Sequence, residues 1–99
     1  MIVQLKLTPK ARADLDAIWD YTLRRWGVVQ AEIYLASLGK TMQLLVENPG
    51  LGTGIDHIKN GYRKFPAASH LLIFKVTPTV FEVVRVLHKS MDIELAFQN

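Results

Sequence analysis

Apolar and polar residues alternate at the start of the chain. Ile2, Val3, Leu5 and Leu7 are broken by Gln4 and Lys6, the pattern of a half-buried strand. Thr8 and Pro9 then mark a helix start: a threonine hydroxyl can take up free backbone N–H groups, and proline suits the first helical position. Beyond them the period lengthens. Ala11, Leu15, Ile18, Trp19, Thr22 and Trp26 fall on one helical face and are the inward-facing candidates. Asp14, Asp16 and Asp20 precede Arg24 and Arg25, an order that suits the helix dipole. Gly27 ends this helix. A second follows at once, with Ala31, Tyr34, Leu35, Leu38, Met42 and Leu45 on its apolar stripe and Asn48-Pro49-Gly50 as its stop. Helices joined by so short a link form a hairpin, whose apolar faces need a further layer.

That layer lies downstream. A loop between Asn48 and Gly61 carries Gly50, Gly52 and Gly54, and three strand-like runs follow over residues 62–66, 71–76 and 80–88. Ala67-Ala68-Ser69-His70 separates the first two runs and Thr77-Pro78-Thr79 the second pair. Connections this short make antiparallel neighbours. Pro66 has no amide proton and belongs at a strand end or on an edge. The predicted class is α+β: an N-terminal strand, a two-helix hairpin, then an antiparallel three-stranded meander. All the strands are expected in one antiparallel sheet with the helices on one face. A short helix is expected within residues 91–97. No repeat or linker interrupts the chain, so residues 1–99 read as one domain.

Composition narrows the picture. With 49% hydrophobic and 21% charged residues, the chain of 99 residues is globular rather than disordered. A domain this short buries a modest fraction of its surface, so a partner that covers apolar area would add materially to its stability. The absence of cysteine excludes disulfides and thiolate metal sites. The N-terminus is too short and too alternating for a signal peptide, and no apolar run reaches membrane-spanning length; a soluble, cytoplasmic protein is expected. A net charge of +3 favours an acidic partner, whether nucleic acid, a nucleic-acid enzyme or an acidic peptide, although a solvated surface explains it equally well.

The candidate chemistry is sparse. Gly50-Leu51-Gly52-Thr53-Gly54 lacks the Lys-Ser/Thr ending of a phosphate loop and follows a helix, so it reads as a turning connection. His57, His70 and His88 are too scattered for a metal-ligand spacing, and no metal or cofactor is expected. Trp19 and Trp26 read as core anchors. Arg63 and Arg85 stand out, because a charge inside a strand must face solvent, a partner or an acid. Period-two alternation gives Arg85 the same face as Phe81, Val83 and Leu87. Either that face is only partly covered or an acid such as Asp56 or Asp92 holds the guanidinium.

An ordered set of short patterns resembles the ParE-type toxins of the RelE/ParE superfamily. Asp14-Leu15-x-x-Ile18-Trp19-x-Tyr21 and Trp26-Gly27-x-x-Gln30-Ala31-x-x-Tyr34-Leu35-x-x-Leu38 resemble their helical hairpin. Asn48-Pro49-x-x-Gly52, Gly61-Tyr62-Arg63, Ser69-His70-x-x-Ile73-Phe74 and Val84-Arg85-Val86-Leu87-His88-x-x-Met91-Asp92 extend the likeness over nearly the whole chain. The resemblance implies two helices on an antiparallel sheet and a toxin encoded beside an antitoxin. That antitoxin would be ParD-like, with a ribbon-helix-helix DNA-binding part and a C-terminal segment that wraps the toxin. It also implies inhibition of DNA gyrase by trapping its cleaved-DNA complex.

The RelE-type relatives of such proteins instead cut messenger RNA on the ribosome. RNA cleavage needs a base for the 2′-OH, cations for the phosphate and an acid for the leaving oxygen. Arg63 and Arg85 fall on strand positions similar to those of RelE-type phosphate-binding arginines, and His88 could serve as the acid. No clear base accompanies them, and Lys89-Ser90-Met91-Asp92 lacks the tyrosine common in the nuclease branch. Binding is therefore expected rather than catalysis, with no catalytic residue assigned. Arg63, Arg85, His88, Lys89, Met91 and Asp92 are the expected partner contacts.

Overall fold

A computed structural model describes Ile2 and residues 4–98. Met1, Asn99 and Val3, which the alternation assigns to the first strand, lie outside the described residues. The elements run β1 (Gln4–Leu7), α1 (Pro9–Trp26), α2 (Val28–Glu47), a single 3-10 turn at Pro49–Leu51, β2 (Thr53–Gly54), β3 (Arg63–Ala67), β4 (His70–Val76), β5 (Val80–His88) and α3 (Ile93–Ala96).

Local chemistry explains the helix ends. The Thr8 hydroxyl accepts from the Ala11 amide at 3.1 Å, and Pro9 opens α1. Gly27 closes α1 and opens α2 at a φ of 92°, a conformation a side chain would strain. Its amide donates to Leu23 and its carbonyl accepts from Ala31. One residue therefore serves as both caps, which is why the hairpin is so tight.

The sheet order is β1-β5-β4-β3-β2. The β2–β3, β3–β4 and β4–β5 pairs are antiparallel, but β1 runs parallel to β5, against the expectation of a wholly antiparallel sheet. Two-residue β2 is responsible. Each tight connection reverses the chain, and one additional element between α2 and β3 changes the parity with which β5 returns beside β1.

Helices α1 and α2 cover one face of the sheet. Ala11, Ile18, Leu38, Met42 and Leu45 meet Leu72, Phe74, Phe81, Val83 and Val86 there, with the Phe74 and Phe81 rings stacked at 4.6 Å. The opposite face is also covered. Ile55, Ile73 and Leu87 form a second buried cluster beneath Ile58, Tyr62, Ile93, Ala96 and Phe97, so the loop after β2 and the C-terminal segment act as a thin second layer.

Two sequence expectations need correction. Trp26 is 64% exposed and is not a core residue, because it lies at the tip of the helical hairpin, where residues 23–30 are all exposed; Trp19 is only half-buried. Arg85 does not share a face with Phe81 and Val83. Ile73 pairs with Arg85 while the next residue, Phe74, pairs with Val83, so Val84 is an extra residue in β5. The bulge shifts the alternation, placing Val86 in the helix-side core and Leu87 in the other.

Candidate functional site

Among the described residues the C-terminal half of β5 has no strand on its outer side, because β1 pairs with Val80 to Val83. Helix α1 supplies the missing partners. The Thr8 hydroxyl donates to the Val84 carbonyl at 2.7 Å, and the Asp14 carboxylate accepts from the Val86 amide at 2.9 Å. The same carboxylate receives Arg85 through two parallel bonds, Nε to Oδ2 at 2.8 Å and Nη2 to Oδ1 at 2.9 Å. The Asp14 hydrogen bond raises the Arg85 pKa, holding the guanidinium charged despite partial burial.

The acid holding Arg85 is thus Asp14, not Asp56 or Asp92. Asp56 accepts from the Gly61 amide at 2.7 Å, and Asp92 caps α3 by accepting from the amides of Glu94 and Leu95. Asp14 was legible in principle. It lies three residues after Ala11 and four before Ile18, on the helical face that turns inward.

Arg63 is likewise engaged. Its Nη2 donates to the carbonyls of Gly50 and Gly52, while Nε is buried without a hydrogen-bond partner among the described residues. The guanidinium therefore pins the loop from Pro49 to Gly54, which behaves as a turning connection. Arg63 pairs with Phe74 and lies at the opposite end of the β3–β4 hairpin from His70, which pairs with His88.

His88, Lys89, Met91 and Asp92 come together as the exposed turn between β5 and α3. The His88 ring takes Ser90 through Nδ1, at 2.7 Å to the hydroxyl and 3.1 Å from the amide. The Lys89 amide donates to the Ser69 carbonyl, and the Met91 amide to that of His88. The structure does not bring Arg63 into this group.

It adds a feature that sequence reasoning missed. A groove of about 570 Å³ opens between the end of α1, the start of α2 and the β3–β4 turn, lined by Tyr21, Trp26, Gln30, Tyr34, His70 and His88 among others. The Tyr34 hydroxyl lies 2.6 Å from His70 Nδ1 and accepts from the Ser69 amide at 3.1 Å. The His70 and His88 rings meet edge to face with centroids 5.3 Å apart. Burial lowers the His70 pKa, the charge of His88 adds to the effect, and Asp14 opposes it. Nothing in the linear spacing joins Tyr34, His70 and His88, since strand register alone aligns the two imidazoles.

Among the described residues no three His, Asp or Glu side chains converge as metal ligands would. No helix among them is long and apolar enough to cross a membrane.

The arrangement defines a class: a small α+β domain with a helical hairpin on one sheet face, whose exposed aromatic groove and charged C-terminal turn suit contact with another macromolecule. Comparison with known proteins identifies the family. Residues 5–93 match the family described as ParE toxin of type II toxin-antitoxin system, parDE. Toxin ParE1 of Mycobacterium tuberculosis is 47% identical over 89 residues, covering 89% of this chain and 91% of that protein. Toxin ParE1 of Caulobacter vibrioides is 41% identical over 87 residues, covering 88% and 90%. A solved chain of the chromosomal ParDE system from P. aeruginosa superposes with a TM-score of 0.75 at 25% identity, covering 88% of this chain and 96% of that one. The chain belongs to the ParE toxin family of type II toxin–antitoxin systems.

Proposed function

We propose that this toxin acts by binding DNA gyrase and trapping its cleaved-DNA complex, and that a ParD-like ribbon-helix-helix antitoxin neutralises it. Such a target places its action in the cytoplasm. The contact surface is the exposed turn at one end of the sheet, formed by His88, Lys89, Met91 and Asp92; Arg63, at the opposite end of the β3–β4 hairpin, and Arg85, held by Asp14, stand outside it. The antitoxin covers the apolar surface of the helical hairpin and stabilises the toxin by mass action.

One observation carries the preference for binding over RNA cleavage. Both strand arginines already have internal acceptors, Asp14 for Arg85 and the Gly50 and Gly52 carbonyls for Arg63. A ribonuclease would need those cations on the scissile phosphate beside His88. Releasing Arg85 would strip the carboxylate of its partner, at a cost typical of broken part-buried pairs.

The test incubates purified toxin with gyrase, ATP and plasmid, followed by detergent and protease. Linear DNA is the expected product. Intact plasmid together with cleavage of ribosome-bound message assigns the protein to the RelE-type reaction instead.

A further inference from the structure

The groove near the Gly27 turn of the helical hairpin lies apart from the residues proposed for gyrase, with His88 alone shared. Its rim is apolar and exposed: Tyr21 is 58% and Trp26 64% accessible. Val28, Val29 and Ile33 near the start of α2 are also more than half exposed. Exposed apolar side chains gathered at one end of a fold mark a binding surface. Its aliphatic members cannot stack on bases, so the patch suits a protein segment better than a single-stranded nucleic acid.

The charges around the groove select the segment. Among the described residues no acidic side chain lines it. The Arg25 guanidinium flanks it, 5.6 Å from the Trp26 ring centroid. The floor offers donors. Because the Ser90 amide donates to His88 Nδ1, the neutral ring keeps its proton on Nε2. The Tyr34 oxygen accepts from Ser69 and lies against His70 Nδ1; in the tautomer where the phenol donates to Nδ1, that ring also carries its proton on Nε2. With that tautomer both imidazoles carry an Nε2–H donor and line the groove. A carboxylate is the matching ligand.

We infer that this groove seats an acidic amphipathic segment of the antitoxin, with an apolar side chain between Tyr21 and Trp26 and a carboxylate on the His70–His88 pair, and that seating it draws in a proton. The inference rests on the toxin–antitoxin reading above. His70 is faced by Tyr34 from α2, by His88 from β5 and, through space, by Asp14 from α1, which Arg85 already holds. Lys89 and Ser90 follow His88 in the turn. Burial and the neighbouring His88 ring resist a proton on His70. An arriving carboxylate offsets that resistance, so protonation and binding favour each other.

The test is calorimetric titration of the whole toxin with the full-length product of the adjoining reading frame, from pH 8 to pH 5.5, in buffers of different ionisation enthalpy. Affinity should rise as pH falls, by up to about tenfold per unit where one proton is taken up. His88→Gln and His70→Gln should flatten that slope. Trp26→Ala should weaken binding about thirtyfold at every pH, with an unchanged melting temperature because the ring is exposed. Tight binding by the wild type with no pH slope, a slope that survives both histidine variants, or wild-type affinity in Trp26→Ala each overturns the inference while leaving the toxin–antitoxin reading intact. Failure of the wild type to bind the adjoining product overturns that reading as well. A single-stranded oligonucleotide that binds wild type but not Trp26→Ala assigns the groove to nucleic acid and also overturns the inference.

Discussion

Asp14 on the first helix and Arg85 on the last strand, 71 positions apart, are joined by two hydrogen bonds of 2.8 and 2.9 Å. The side chains are 16% and 17% exposed. The carboxylate also ends the free edge of β5 by taking the Val86 amide, so one residue fastens helix to sheet and satisfies a strand group that β1 is too short to reach.

Asp14→Ala should therefore be among the costly substitutions in the molecule. It leaves a part-buried guanidinium and a strand amide without their acceptor, a loss of about 2–4 kcal/mol. Asp14→Asn keeps one acceptor oxygen and should fall between. Replacing Arg85 by methionine in the Asp14→Ala background should recover part of the loss, since the stranded charge is then gone. Urea unfolding of the four proteins measures this; equal stability of Asp14→Ala and wild type would refute it.

Gly52 is buried against Phe74, and a Cβ there would overlap the ring. Phe74 cannot yield, being fully buried and stacked on Phe81. Gly52→Ala should lower stability by about 1–3 kcal/mol, the usual range for overpacking. Gly39 supplies the control: it lies within α2 with nothing within 4 Å of an added Cβ, so Gly39→Ala should stabilise by up to about 1 kcal/mol. Opposite shifts of the two melting temperatures are the expected result.

Stability should depend on pH through His70. Its pKa is held below the free imidazole value of 6.5, chiefly by burial. As pH falls, the unfolded chain therefore takes up this proton before the folded one does. The contribution is complete above about pH 6.5 and is lost as pH drops through the folded-state value. His70→Gln should flatten the melting-temperature profile on the acid side of neutrality. A profile as steep as that of the wild type would remove His70 as its source.

The second core should also be measurable. Leu87 is 1% exposed beneath the C-terminal segment, and Leu87→Ala should cost about 2–4 kcal/mol. Phe97 is only half-buried and packs edge-on to Tyr62, so Phe97→Ala should cost less, about 1–2 kcal/mol. Denaturant melts rank the two, and a larger effect at Phe97 would mean that the segment carries more of the fold than its burial implies.

Much of this architecture is legible from local pattern. The helical hairpin, its glycine hinge and the strand runs follow from period, capping residues and turn chemistry, each of which acts within a few residues. The stripe of α2 is buried or half-buried at every expected position, from Ala31 to Leu45. Family membership was legible too, because short patterns recur in order along the whole chain.

What local pattern could not decide depends on distance and parity. Thr53 and Gly54 are too short a run to announce a strand, yet their pairing with Lys64 and Arg63 reverses the chain once more and sets β5 parallel to β1. Trp26 keeps the helical spacing of a core residue, but spacing says nothing of where along the helix burial ends. The bulge at Val84 shifted the alternation that Arg85 was assumed to follow, and Asp14 reached it around an edge that exists only because β1 is short. Period and capping act between neighbours and are written in the chain; sheet edges, register and the meeting of Tyr34, His70 and His88 arise only when distant segments pack.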